Sequence, residues 1–87
     1  MRQFVYLATQ IVGNPEAGYG TVYNWDGAVF RTRAAAIDHG FEARGSDDFN
    51  IGVFEGGKLV SIDWMEQVVD ADPAEMARIQ EQNGLWP

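Results

Sequence analysis

The sequence predicts an α+β domain, an antiparallel sheet of four to five strands in the order β-β-β-α-β-β-α with two helices packed on one face. Three observations predict it. Two β-rich runs flank Gly56-Gly57, a pair that supplies both positive φ angles of a type I′ turn. The run Asp72-Pro73-Ala74-Glu75 opens a helix, with Asp72 at the N-cap, Pro73 at N1 and Glu75 at N3 to complete a capping box. Residues 3–12 are rich in side chains that favour a pleated surface. At 87 residues the chain predicts a single domain over 1–87.

Residues 3–12 are apolar almost without a break up to Ala8, which predicts a strand that is central in the sheet or covered on both faces. Gly13-Asn14-Pro15-Glu16-Ala17-Gly18 ends it, because Pro15 donates nothing to a ladder and the glycines loosen the backbone. This loop is expected to be the most mobile part of the domain. Residues 20–25 and 28–32 surround Asp26-Gly27, a second hairpin signal. That turn sets Trp25 opposite Ala28, Tyr23 opposite Phe30 and Thr21 opposite Thr32, with Tyr23, Trp25 and Phe30 facing the core together. A four-residue loop over 24–27 shifts these pairs. Thr32 then caps a helix over 33–39 by accepting an orphan N–H. Gly40 supplies the left-handed residue after it and Phe41 the closing hydrophobic contact; continuation to Arg44 is the alternative. So short a helix needs Ala36, Ile37 and Phe41 packed on the sheet. Gly45-Ser46-Asp47-Asp48 reads as a turn.

A two-residue turn fixes the register of the hairpin over 49–65. Glu55 faces Lys58, Phe54 faces Leu59, Val53 faces Val60, Gly52 faces Ser61, Ile51 faces Ile62, Asn50 faces Asp63 and Phe49 faces Trp64. Alternation then puts Phe49/Trp64, Ile51/Ile62 and Val53/Val60 on the core face, and Asn50/Asp63, Gly52/Ser61 and Phe54/Leu59 on the other. Residues 66–71 are ambiguous. The last helix runs to about Asn83, with Gly84 as its left-handed cap, Leu85 folding back toward Ile79, and Met76, Ala77 and Ile79 as an apolar stripe. Trp86 is either tucked against this helix or exposed as a contact residue.

Thirteen acidic and six basic residues give a net charge of −7. A phosphate backbone would be repelled, so nucleic acid is disfavoured as a partner, and an anionic membrane surface with it. No apolar run approaches ~20 residues, so no spanning helix is expected. The N-terminal run lacks a small-residue cleavage site and reads as a strand, which points to a cytoplasmic protein. With no cysteine, disulfides and thiolate metal sites are excluded.

The densest polar group is Asp47, Asp48, Asn50 and Asp63. In the register above Asn50 and Asp63 are cross-strand neighbours and Asp48 shares their side, so their oxygens could gather a small polar ligand or Ca²⁺ or Mg²⁺. The spacing is not that of an EF-hand, and aspartates at a turn also cap free N–H groups. His39 is the only histidine and reads as a helix-end or surface residue. Ser46 and Ser61 lie outside any Gly-x-Ser-x-Gly elbow. Gly18-Tyr19-Gly20 precedes a strand and is no phosphate loop. No nucleophile–base pair emerges, and no cofactor is expected.

The run Arg33-Ala-Ala-Ala-Ile-Asp-His-Gly40, then Asp47-Asp48-Phe49-Asn50-Ile51-Gly52-Val53, then Gly57-Lys58-Leu59 and Trp64-Met65, resembles a layout found in small uncharacterised bacterial and phage proteins. The resemblance covers about the C-terminal two-thirds of the chain. It implies only that Asp47, Asp48 and Asn50 belong to a recurring local structure. The expected function is a non-enzymatic protein-interaction module with an acidic surface. A basic face on another protein is its complement, with Trp86 or a sheet edge as the contact. The alternative is a small-molecule or divalent-metal-binding domain built on Asp47, Asp48, Asn50 and Asp63. A homodimer is compatible with both.

Overall fold

Strand β1 (Arg2–Asn14) is the axis of the molecule. In the computed structural model, which describes residues 1–14, 18–68 and 71–87, it is flanked on both sides. β2 (Gly18–Trp25) pairs antiparallel along its second half, from Leu7↔Trp25 to Asn14↔Gly18. β3 (Asn50–Glu55) pairs antiparallel along its first half, from Arg2↔Glu55 to Leu7↔Asn50. β4 (Lys58–Asp63) follows β3, so the sheet order is β2-β1-β3-β4. Helix α1 (Arg33–Arg44) lies between β2 and β3 in sequence, and α2 (Pro73–Asn83) follows β4. The α+β class and the antiparallel sheet agree with the sequence reading. The loop expected over 13–18 is corrected at its ends, since Gly13 and Asn14 belong to β1 and Gly18 to β2, paired Asn14↔Gly18; its remaining residues, 15–17, and the mobility expected there lie outside the described residues.

The two helices do not share a face. Val5, Leu7, Phe54 and Leu59 pack with Met76, Ile79 and Leu85 at α2. Tyr6, Ile51 and Val53 pack with Phe49 and with Ala36 of α1. Odd and even residues of β1 thus enter different cores, and the domain has three layers instead of two. The physical reason is the continuous apolar run in β1 and again in β3: a strand apolar on both sides needs cover on both sides.

The Gly56-Gly57 turn forms as expected, with φ of 59° and 80°. Glu55↔Lys58 and Phe54↔Leu59 hold. Beyond them the register slips by one, to Val53↔Ser61, Gly52↔Ile62 and Ile51↔Asp63, leaving Val60 as a bulge. A one-residue slip exchanges inside for outside. Val60 turns outward at 37% exposure and Trp64 lies 47% exposed, while Asp63 is fully buried. Ile62 joins the α2 side. The predicted pairs from Val53/Val60 to Phe49/Trp64 are therefore corrected. The bulge sets Ile62 on an apolar layer and turns Asp63 toward α1, where a cation meets it.

The expected Asp26-Gly27 hairpin is also corrected. Tyr23 and Trp25 face the α2 core, whereas Phe30 packs in the α1 core. The predicted third strand is a single bridge, in which Phe4 N–H donates to Phe30 O at 2.9 Å and Phe30 N–H to Phe4 O at 2.8 Å. β2 ends opposite Leu7, so Phe30 occupies the stretch of β1 edge that β2 leaves open.

Thr32 caps α1, accepting from Ala35 N–H at 3.2 Å. The helix continues through Gly40, and Gly45 at φ 79° is its left-handed cap. Gly40 is needed for space: a Cβ there would overlap the ring of Phe49. Phe41, expected against the sheet, is 46% exposed and meets Phe49 edge-on at 5.5 Å. Gly40→Ala should improve helix propensity by about 1 kcal/mol, yet overpacking a buried contact costs about 1–3 kcal/mol. The expected result is a lower urea midpoint with an unchanged slope. A higher midpoint would show that α1 does not press on Phe49.

After β4 the chain turns sharply, with Gln67 N–H donating to Trp64 O at 3.0 Å and Met65 at φ 58°. Residues 69 and 70 lie outside the described set. Asp72 caps α2 by accepting from Ala74 N–H at 3.4 Å, and Gly84 at φ 64° ends it. Glu75, expected to reach back to the cap, instead lies 3.6 Å from Arg78. Met76 and Ile79 are buried, but Ala77 faces outward. Its place in the stripe is taken by Gln80, at 3% exposure.

Candidate functional site

The four polar residues singled out in the sequence are each engaged in a contact within the fold. Asp63 lies at the end of β4 with no solvent exposure, and Arg33 Nη1 donates to its Oδ2 at 2.7 Å. The same Nη1 donates to Met65 O at 3.1 Å, and the guanidinium stands 5.3 Å from the centre of the Phe4 ring. Asn50 Nδ2 donates to the backbone oxygen of Asp63 at 3.3 Å, and Thr9 Oγ1 donates to Asn50 Oδ1 at 2.5 Å. Asp47 offers its backbone oxygen to Trp64 Nε1–H at 3.1 Å and to Phe49 N–H at 2.9 Å. Asp48 is paired with Arg44 at 3.2 Å, and its N–H donates to Ser46 Oγ at 3.4 Å. Together these contacts tie the segment before β3, the end of β4 and the start of α1 to one another. Among the described residues no three His, Asp or Glu side chains are arranged to hold a metal ion.

His39 sits inside α1, not at its end, because the helix runs on to Arg44. Its Nε2 lies 2.5 Å from Asp26 Oδ2, and its ring is 5.1 Å from Phe30 and 5.7 Å from Tyr6. Burial acts to raise the Asp26 carboxyl, but His39 and the Ala28 N–H outweigh it and hold that group below the ordinary carboxylate range. The pair clips the 26–30 turn onto α1.

A surface feature with the shape of a binding site lies elsewhere, between β4 and α2. A groove of about 680 Å³ is walled by Leu59, Val60, Pro73, Ala77 and Trp86, with Lys58 and Glu81 on its rim. That volume is in the range of small-ligand and peptide clefts. Trp86 stands beside it at 61% exposure. Each wall has a local cause. The bulge at Val60 turns its side chain out, the helix period turns Ala77 outward, and the Gly84 cap folds Leu85 into the core so that the next residue emerges.

Gln80 forms the floor and fixes the spacing of the walls. Leu59 N–H donates to its Oε1 at 3.0 Å, while its Nε2 donates to Gly57 O at 2.7 Å and to Leu85 O at 2.9 Å. A single side-chain amide thus does for β4 what one residue of a neighbouring parallel strand would do. Sequence reasoning found Trp86 but not Gln80, Val60 or Ala77. A signal for Gln80 was present: Met76, Ile79 and Gln80 stand at i, i+3 and i+4, so an amide was spaced to share a buried stripe.

No family model matches the chain, and no curated protein and no solved structure is detectably similar to it. No helix among the described residues is long and apolar enough to cross a membrane.

Proposed function

We propose that this domain is a non-enzymatic protein-interaction module that takes an apolar side chain of a partner into the groove between β4 and α2. The observation that supports it is Trp86, a large aromatic side chain left 61% exposed beside an apolar cleft. Buried aromatic anchors dominate protein interfaces, and a partner that covers one gains the free energy of removing its apolar surface from water. Glu81 on the rim and Asp72, next to Pro73, have no ion-pair partner among the described residues. With the net charge of −7 they favour a partner segment that carries Lys or Arg beside its apolar anchor. A cytoplasmic setting goes with this reading.

Selection of random displayed peptides on the immobilised domain tests the proposal. The expected winners combine one aromatic or aliphatic residue with flanking basic ones. Their affinity should fall at least about tenfold in Trp86→Ala, the size of a modest hot spot, and should weaken as salt rises. The melting temperature of Trp86→Ala should stay close to that of the parent, because the side chain is largely in water. No enrichment over several rounds, or equal binding by Trp86→Ala, would overturn the assignment.

A further inference from the structure

The groove beside Trp86 is bordered by an edge strand, because β4 ends the sheet order β2-β1-β3-β4. An edge with open N–H and C=O groups takes a partner peptide as an added strand. Two features close β4 to that mode. The first is Gln80, whose Oε1 accepts from Leu59 N–H at 3.0 Å and whose Nε2 donates to Gly57 O at 2.7 Å. Those are the two groups that a parallel added strand would need there, and the amide holds both.

The second is the bulge at Val60. Glu55↔Lys58 closes the two-residue turn, so Lys58 turns its backbone groups toward β3. Ser61 and Asp63 do the same, opposite Val53 and Ile51, which follow Glu55 by the period of two. Leu59 and Ile62 are then the outward residues, three positions apart. An added strand presents its groups at every second residue and cannot follow that spacing.

A segment buried in this groove has to satisfy its own backbone, and an α-helix does so within itself. Apolar grooves take amphipathic helices through anchors spaced at i, i+3, i+4 and i+7. The α2 wall suits one. Pro73, Ala77 and Glu81 stand four apart along it and span about 12 Å, or about two turns. Ala77, in the middle, is small and faces outward, which lets a second helix come within the axis separation of about 8–10 Å at which helices pack. We infer that the partner segment is an amphipathic helix of another protein, laid against α2, an inference that rests on the groove being the interaction site. Charge selects which helix. Residues 72–83 carry Asp72, Glu75 and Glu81 against one cation, Arg78, and the whole chain carries −7. A second copy of this chain is repelled, and a helix with Lys or Arg on its flanks is attracted.

Two displayed peptide libraries of equal composition, both rich in Lys and free of proline, are the test. Their members have about 16 residues, a length at which a free helix is marginal in water. One library spaces Leu, Phe and Trp at i, i+3, i+4 and i+7, and the other alternates them with Lys. The immobilised domain should enrich the first over the second at least about tenfold. The captured peptide should gain helical circular dichroism on mixing with the domain, and a proline at its centre should weaken capture at least about tenfold. Ala77→Leu fills the place of the incoming helix and should weaken capture by as much, with the melting temperature close to that of the parent, because Ala77 faces water. Trp86-dependent capture of alternating peptides, without helical gain and with the proline tolerated, would overturn the helix and leave the groove reading standing. Capture indifferent to Trp86→Ala, or none from either library, would overturn both.

Discussion

Arg33→Ala should be strongly destabilising, lowering stability by about 3–5 kcal/mol, the usual cost of removing one partner of a buried ion pair. Asp63 is fully buried, and Arg33 reaches it at 2.7 Å from the first turn of α1. Without the guanidinium the carboxylate keeps its desolvation cost and loses the Arg33 hydrogen bond and charge. Met65 O loses a donor and the Phe4 ring its cation in the same step. A domain of this size is stable by only about 5–10 kcal/mol, so the variant should be partly unfolded near 37 °C. Urea titration of Arg33→Ala, Asp63→Asn and the double variant measures the coupling. The double variant should be more stable than Arg33→Ala, because the buried charge is gone. If the two single changes simply add, the pair is not what joins α1 to β4.

Gln80→Ala should cost about 2–4 kcal/mol, since it strips partners from one buried N–H and two carbonyls. Water can reach Gly57 but not the buried Leu59 and Leu85. The loss should therefore exceed that of an ordinary surface amide. Gln80→Glu separates shape from hydrogen bonding. It keeps the acceptor for Leu59 N–H and replaces the donor with an oxygen facing Gly57 O and Leu85 O. Those carbonyls disfavour a carboxylate, so its pKa is raised in the folded state. The protonated form is then the better tolerated one, and the deficit of Gln80→Glu against the parent should shrink as pH falls from 7 toward 4. The check is the difference in melting temperature between the two proteins across that range. A deficit that grows on acidification would remove the donor role assigned to Nε2. Both variants should also weaken peptide capture by the groove, because the floor sets the distance from Val60 to Trp86.

The candidate site was legible in part. Trp86 stood out because aromatic side chains are enriched at interfaces, although the sequence left open whether it tucks against α2. The groove did not, because its other wall exists only through the bulge at Val60. The cluster of Asp47, Asp48, Asn50 and Asp63 was visible as a set of residues, but its members turn to different tasks once the register shifts. Asp63 goes inside to Arg33, a residue thirty positions earlier that no spacing rule connects to it. Asp48 stays outside with Arg44, a helical neighbour that local pattern could have supplied.

Backbone chemistry over a few residues was decided along the chain itself. The Gly56-Gly57 turn, the caps at Thr32 and Asp72, the left-handed Gly84 and the apolar run that makes β1 central all follow from φ preferences, orphan N–H groups and side-chain alternation. None of these reaches beyond a neighbouring turn. Which face each helix covers, why Gly40 is bare of a side chain, where Phe30 finds a strand to bridge and how β4 slips past β3 were settled only when distant segments competed for the same space. Packing and the pairing of a buried charge act between residues far apart in sequence, and they overrode the local register by one position at Val60.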